Sequence, residues 1–432
     1  MRLPFLRRLP WWPIGITLVV LVSAIFSVSP LRDAVMLAPP ADVRLDLSPG
    51  YIAIAPASDV LDTLTLLTVP QHIALLLWLF LLYAVYRVWR RRAPGVSVRR
   101  SHRHPGVREA VYAGILLLAI IAVYAIGALA PRPMAALVAS PADLYLRVDF
   151  HSHTRFSHDG RSGWSAEDVR DWHRAAGFDV AYISDHRTFE GAERGIANNP
   201  PLAGQGTTIL QAIEVGWRGE HVNLLGAGRM YKGLTDIDLR DLDQQALTLA
   251  SAIVGREPVV VETIPGRVDS MIPATGPGTA GVRALEIVDG SPRGLLQSRR
   301  DRTHLVQLAD SLGLAAVAGS DNHGWGSTAP AWTLMRMPGW RELAPDDLAL
   351  GIENQIRRFG RSATRVIERR IAGPMNGSGP VELALTLPLV LWRMFTMLTT
   401  DERVVWLVWA WGLALVARAA TRQWRRQQLP VA

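Results

Sequence analysis

Three apolar runs limit what the first third of this chain can fold into. Trp12 to Val28, Ile73 to Trp89 and Ala110 to Ala130 carry almost no charge. Each approaches the ~20 residues that an α-helix needs to cross a bilayer. Backbone polar groups in hydrocarbon must be paired within the segment, so such runs are read as membrane-spanning helices. They account, with the C-terminal end, for 49% hydrophobic residues among 432 and a mean hydropathy of +0.15. The middle of the chain is ordinarily polar.

Charge sets an orientation for these spans. Arg2, Arg7 and Arg8 precede the first, and Arg87, Arg90, Arg91, Arg92, Arg99, Arg100, Arg103 and Arg108 crowd around the link between the second and third. The link between the first and second carries Asp33, Asp42, Asp46, Asp59 and Asp62 against Arg32 and Arg44. By the positive-inside rule the N-terminus and the Arg-rich link are cytoplasmic, and everything after Pro131 is exported. The net charge of +8 is explained in the same way, so no nucleic-acid partner is expected. Lys232 is the only lysine, an arginine bias associated with GC-rich bacterial genomes. The expected place is a bacterial inner membrane, with the polar domain on its extracytoplasmic side. The C-terminal region, 381–432, holds Val381 to Thr399, interrupted by Glu382, Pro388 and Arg393, and then Val404 to Val416, followed by Arg418, Arg422, Arg425 and Arg426. An interfacial or re-entrant helix followed by a short span fits that order.

Between these regions the chain alternates strand-like and helix-like runs, the pattern of a parallel sheet covered by helices. Strands are expected at 144–150, 179–184, 209–215, 221–225, 258–264, 284–288 and 314–318, with helices over 165–176 and 239–253. Residues two apart on a strand point the same way, so His151 and His153 share a side at the end of the first strand. Asp149 shares it too and could accept a hydrogen bond that orients one ring. With no cysteine in the chain, any metal must be held by His, Asp and Glu. Asp159, His186, Glu214, His221, Asp321 and His323 recur at or near strand ends, where the loops of an α/β barrel converge on one face.

His151-x-His153-Thr with Ser157-x-Asp159-Gly160, Ser184-Asp185-His186, Glu214, and Gly319-Ser-Asp321-x-His323 resemble, in order, the motifs of the PHP (polymerase and histidinol phosphatase) superfamily. The resemblance covers about half of the chain, from near Leu144 to near Arg336. It implies an α/β fold, a distorted seven-stranded (β/α) TIM-like barrel, flanked here by transmembrane helices. The expected organisation is a membrane region over 1–132 with spans near 12–28, 73–89 and 110–130, a metallohydrolase domain over 141–370, and the C-terminal membrane-associated region. It implies two or three divalent ions of Zn, Mn or Fe. Carried over by motif, His151, His153, Glu214 and Asp321 would hold one. Glu214 would bridge to a second bound by His221, and Asp159, His186 and His323 would hold a third. One departure stands out: where the family places a His-Pro, this chain reads Thr263-Ile264-Pro265, with Glu262 two residues back as a possible substitute.

Metal-activated water attacking a phosphate ester is the reaction such a centre serves. The expected substrate is anionic and phosphorylated. Arg161, Arg187, Arg267 and Arg293 fall in loops near the mouth and could clamp a phosphate; Arg187 could equally pair with a carboxylate. His158 is a candidate proton donor to the leaving group, whereas His173, on a helix, reads as structural. Hydrolysis of an amide or carboxylate ester is the alternative, as is a metal-binding sensor whose chemistry has lapsed at Ile264.

Overall fold

The computed structural model of the protein describes residues 11–92, 105–217, 220–226, 257–263, 273–275, 279, 281–370 and 379–427. Ile264, Pro265, Arg267 and the helix expected over 239–253 lie outside the described residues.

The fold is mixed α/β. Ten strands form one sheet, and all seven expected from the sequence are in it. They are β4 (Tyr145–Ser152), β5 (Val180–Ile183), β6 (Thr208–Trp217), β7 (Glu220–Leu225), β8 (Val259–Glu262), β9 (Val282–Asp289) and β10 (Ala315–Gly319). β5, β8, β9 and β10 are buried along their whole length, as strands with both faces covered are, and that burial takes in Glu262, Arg283, Glu286 and Asp289. The sheet is not parallel throughout. β6, β7 and β8 pair antiparallel, with Gly216 opposite His221. Two residues between β6 and β7 leave no room for the crossover that parallel pairing needs. The expected strand–helix alternation therefore fails here, and His221 meets the end of β6 because β7 starts beside it.

Three further strands were not anticipated: β11 (Ala331–Arg336), β12 (Thr364–Arg369) and β1 (Leu31–Asp33) extend the sheet antiparallel from β4. β2 (Val43–Leu47) and β3 (Ala135–Ala139) pair separately. The ten-stranded sheet curls until the loop after β10 meets the end of β4. There the Asp321 N–H donates to the His151 carbonyl at 2.9 Å and the His153 N–H to the Asn322 carbonyl at 3.0 Å.

Ahead of the sheet come α1 (Trp11–Ile25), α2 (Pro49–Ala53), α3 (Ala55–Thr65), α4 (Val69–Arg92) and α5 (Pro105–Leu129). Between β4 and β6 lie α6 (Ala166–Ala176) and α7 (Glu190–Ile196); α8 (Pro292–Arg300) and α9 (Arg302–Leu312) connect β9 to β10. α10 (Pro345–Phe359) precedes β12, and α11 (Pro380–Ala384), α12 (Thr386–Met397) and α13 (Thr400–Gln427) close the chain. Ser165 caps α6 with a full capping box and Gly177 ends it in the left-handed region, as Ser and Gly at those positions favour.

Among the described residues three helices are long and apolar enough to cross a membrane: 69–90 in α4, 106–129 in α5 and 400–421 in α13. The last is longer than the short span expected. α1 has 15 described residues, fewer than the run read from sequence. The 381–399 stretch is broken into α11 and α12. The domain side of this helix set is tied to the sheet by buried charge. Asp62 of α3 receives Arg132, Arg369 and the Thr328 hydroxyl, the last at 2.8 Å, and the Tyr51 hydroxyl at 2.9 Å.

Candidate metal centre

β4 carries His151, and the residue after its end, His153, to the rim of the curled sheet, where the two imidazoles meet with their Nε2 atoms 3.0 Å apart. β6 delivers Glu214, and the loop after β10 delivers Asp321 with φ of +45°. A non-glycine residue in the left-handed region costs about 1–3 kcal/mol, and such residues concentrate at functional sites. Arg187, following His186 on the loop after β5, is another at +61°.

Four donor atoms meet at this rim. His151 Nε2 lies 3.0 Å from His153 Nε2, 3.0 Å from Glu214 Oε2 and 3.4 Å from Asp321 Oδ1. His153 Nε2 lies 3.2 Å from each of those two oxygens. A tetrahedral ion with bonds of about 2.0–2.1 Å requires its ligand atoms to be about 3.3–3.4 Å apart. These separations come within a few tenths of that spacing, and the donor set of two imidazoles and two carboxylates suits such an ion.

The partners of these four side chains point the same way. The far nitrogen of His151 faces Glu286 Oε2 at 3.3 Å, and that of His153 faces the Ser157 hydroxyl at 3.0 Å. Holding Nδ1 in this manner fixes the ring and leaves Nε2 to the cluster. Asp149 does not play the part expected of it. It takes His173 Nε2 at 2.6 Å and the backbone N–H groups of His151 and Ser320, so it anchors the rim instead of orienting a ligand ring. His173, its other nitrogen 2.7 Å from the Val169 carbonyl, is structural as read.

Glu214 divides its oxygens. Oε2 faces the imidazoles of His151 and His153, while Oε1 is 2.6 Å from His221 Nδ1. A carboxylate placed so can serve two neighbouring sites. Asp159 does likewise on the outer side, with one oxygen 3.2 Å from His323 Nε2 and the other 3.5 Å from His186 Nε2. Among the described residues the buried Nε2 atom of His323 has no aligned hydrogen-bond partner, while Nδ1 is 2.9 Å from the Asp321 carbonyl, which leaves Nε2 to the group. All eight residues read as ligands are thus brought together. His158 and Arg187 stand beside them in the open: the His158 ring is 3.9 Å from Asp159, with its side chain 74% exposed, and Arg187 is exposed with no ion pair among the described residues. Arg161 lies across the rings of Trp164 and Trp325, and Arg293 is exposed. Glu262 belongs to none of the donor groups, and burial with the nearby Glu220 charge pushes its carboxyl up to about 8.

The electrostatics fit a site built for positive charge. Burial alone would drive protons off His151 and His153. The Asp321 and Glu214 carboxylates reverse this, holding His151 well above the ordinary range and His153 at about 9. Burial would likewise raise Glu214 and Asp321, yet the imidazoles hold both below the usual carboxylate range. His186, in contrast, is lowered to about 4 by burial.

Two carboxylates escaped the sequence reading. Glu286 and Asp289 are fully buried on β9, and together with His151 they make another group of close donors. Burial raises Glu286 to about 7 and Asp289 well above its usual value. The available signal was two acids in and at the end of a strand otherwise read as an apolar run. Their fit depends on Gly319, where a Cβ would come 1.7 Å from Glu286 Oε1 and 2.5 Å from the His151 Cβ.

No family model matches the chain, and neither does any curated protein. Solved structures similar to it include PsfC from Pseudomonas syringae PB-5123, at 15% identity and a TM-score of 0.35, covering 62% of this chain and 99% of that one. A two-domain protein from Bacteroides vulgatus, described as containing a predicted PHP-like metal-dependent phosphoesterase, matches at 14% identity and a TM-score of 0.32, over 52% of this chain and 67% of that one. The lesion-specific endonuclease PfuEndoQ from Pyrococcus furiosus matches at 11% and 0.34, over 49% and 56%. Likenesses this distant do not bear on what the chain does.

Proposed function

We propose that the chain is a membrane-anchored, metal-dependent hydrolase of phosphate esters, with residues 141–370 as its catalytic domain on the extracytoplasmic face. The observation that carries the reading is the spacing of the His151, His153, Glu214 and Asp321 donor atoms, 3.0–3.4 Å apart in the five measured pairs. These four would hold one divalent ion of Zn, Mn or Fe, Glu214 and His221 a second, and Asp159, His186 and His323 a third. What such ions supply when bound is a water acidified to near neutrality and neutralisation of the phosphoryl oxygens.

The chain's own groups would do the rest. Glu286 and Ser157 hold the His151 and His153 rings in register. Arg187 and Arg161, neither engaged by a carboxylate among the described residues, would bind the non-reacting oxygens of an anionic substrate. His158 would pass a proton to the departing oxygen from its exposed position beside Asp159.

The orientation is supported by the helix ends. α4 meets the domain at its start, where the Arg299 guanidinium reaches the Leu66 carbonyl at 2.5 Å, and α5 meets it at its end, where the Gly326 N–H donates to the Ala128 carbonyl at 2.9 Å. Their 24 and 25 residues extend about 36 Å, so the Arg-rich ends lie on the side away from the domain. That is the arrangement the positive-inside rule favours for an exported domain. The test is hydrolysis of a water-soluble aryl phosphate by the metal-loaded full chain. Metal-dependent turnover that falls to background in His153→Ala is expected. Turnover confined to amides or carboxylate esters would overturn the phosphoester reading.

A further inference from the structure

A cleft of about 580 Å³, within the range of small-molecule sites, runs from the donor cluster to the membrane helices. Its two ends differ in chemistry. Asp159, Asp321 and His323 form one end, whereas Leu61 and Leu64 of α3 with Val123 and Gly127 of α5 form the other. The apolar end lies on the last turns of α5, a helix long and apolar enough to span a bilayer. A polar pair in that wall, His72 Nδ1 and the Tyr124 hydroxyl at 2.7 Å, is satisfied internally and asks nothing of a ligand. The two ends are held in one frame, since Arg132 joins Asp62 of α3 to Thr328, 2.6 Å away, on the loop that follows His323.

A soluble sugar phosphate or nucleotide would fill only the polar end. It would leave the leucines, Val123 and the Gly127 surface against water, forfeiting the free energy of covering that apolar area. A molecule with a charged head and a hydrocarbon tail would satisfy both ends, since the apolar end is lined by α5, a helix long and apolar enough to span a bilayer. We propose that the substrate is a membrane-resident amphiphile, a phosphoester whose head group reaches Asp321 and His323 while its hydrocarbon chain lies between α3 and the domain-side end of α5. This rests on the phosphoester reading and deepens it.

The test uses the metal-loaded full chain in lipid nanodiscs and a long-chain alkyl phosphonate carrying a photoreactive diazirine near the end of its chain. Adducts mapped by mass spectrometry are expected on 61–67 and 123–128. They should be displaced by the unlabelled phosphonate and not by the alcohol of equal chain length. Gly127→Phe, which fills the cleft, should reduce them severalfold. Val123→Trp serves the same purpose if Gly127→Phe does not fold, because Val123 is already 41% exposed. Adducts confined to other faces of the helices, undisplaced by phosphonate and unchanged in both variants, would overturn the proposal. Aryl phosphate hydrolysis on the same sample separates the two readings. Hydrolysis without cleft adducts defeats the amphiphile alone, whereas displaceable cleft adducts without hydrolysis keep the amphiphile site and defeat the hydrolase.

Discussion

The inner and outer halves of the donor cluster are built differently. His151, His153 and Glu214 are almost fully buried, each ring nitrogen not facing the cluster is occupied, and the donor atoms stand at the spacing of a single ion. The outer group of Asp159, His186 and His323 is looser. The Asp159 side chain is 44% exposed, and its carboxylate holds the two imidazoles at 3.2 and 3.5 Å with one oxygen each. A pre-organised buried site loses little freedom on binding, whereas a carboxylate on an exposed loop must be ordered at that moment. The inner half should therefore bind first and release last, with the outer half exchanging.

Gly319→Ala should break the comparison most severely. Its Cβ has no room beside Glu286 and His151, and overpacking of this kind costs about 1–3 kcal/mol. Loss of inner metal together with a lower melting temperature is the expected outcome, read by elemental analysis and thermal unfolding. Glu286→Gln is milder. It keeps the shape but weakens the grip on His151 Nδ1, so metal affinity in a chelator competition should fall about 10–100-fold. An unchanged affinity would mean that the ring is held by packing alone.

The pH dependence sharpens the same contrast. Without metal, the carboxylates keep His153 protonated up to about pH 9, so inner-site loading must displace protons. Its apparent affinity should rise about tenfold per pH unit for each proton displaced, up to about pH 9. His186, already deprotonated above about pH 4, adds no such slope to the outer site near neutrality. A metal titration at several pH values checks this, and equal slopes for both sites would contradict it.

Much of this site was legible in the sequence because strand periodicity and strand-end position act locally. The i, i+2 spacing of His151 and His153 alone puts both rings on one side, and Asp321-x-His323 lies just past an apolar run of strand length. What was not legible depended on partners remote in sequence. Glu286 and Asp289 sit among Val, Leu and Ile, and only the curl of the sheet reveals that β9 faces His151. Asp149 looked like an orienting group for a ligand ring; His173, 24 residues on, claims it instead. The antiparallel β6–β7 pair was readable in part, since the residues between the expected strands 209–215 and 221–225 are too few to carry a crossover. The pairing of β1 with β12 was not, because Leu31 and Arg369 stand at opposite ends of the chain. The departure at Ile264 lies outside the described residues, so the second site rests on Glu214 and His221.

The most direct test is metal content per chain for the wild-type protein, Glu214→Ala and Asp159→Asn after the same brief dialysis against a weak chelator. The account predicts at least one tightly held equivalent in the wild type, retained in Asp159→Asn and lost in Glu214→Ala. Equal loss in both variants, or retention in Glu214→Ala, would contradict a buried inner site organised around Glu214.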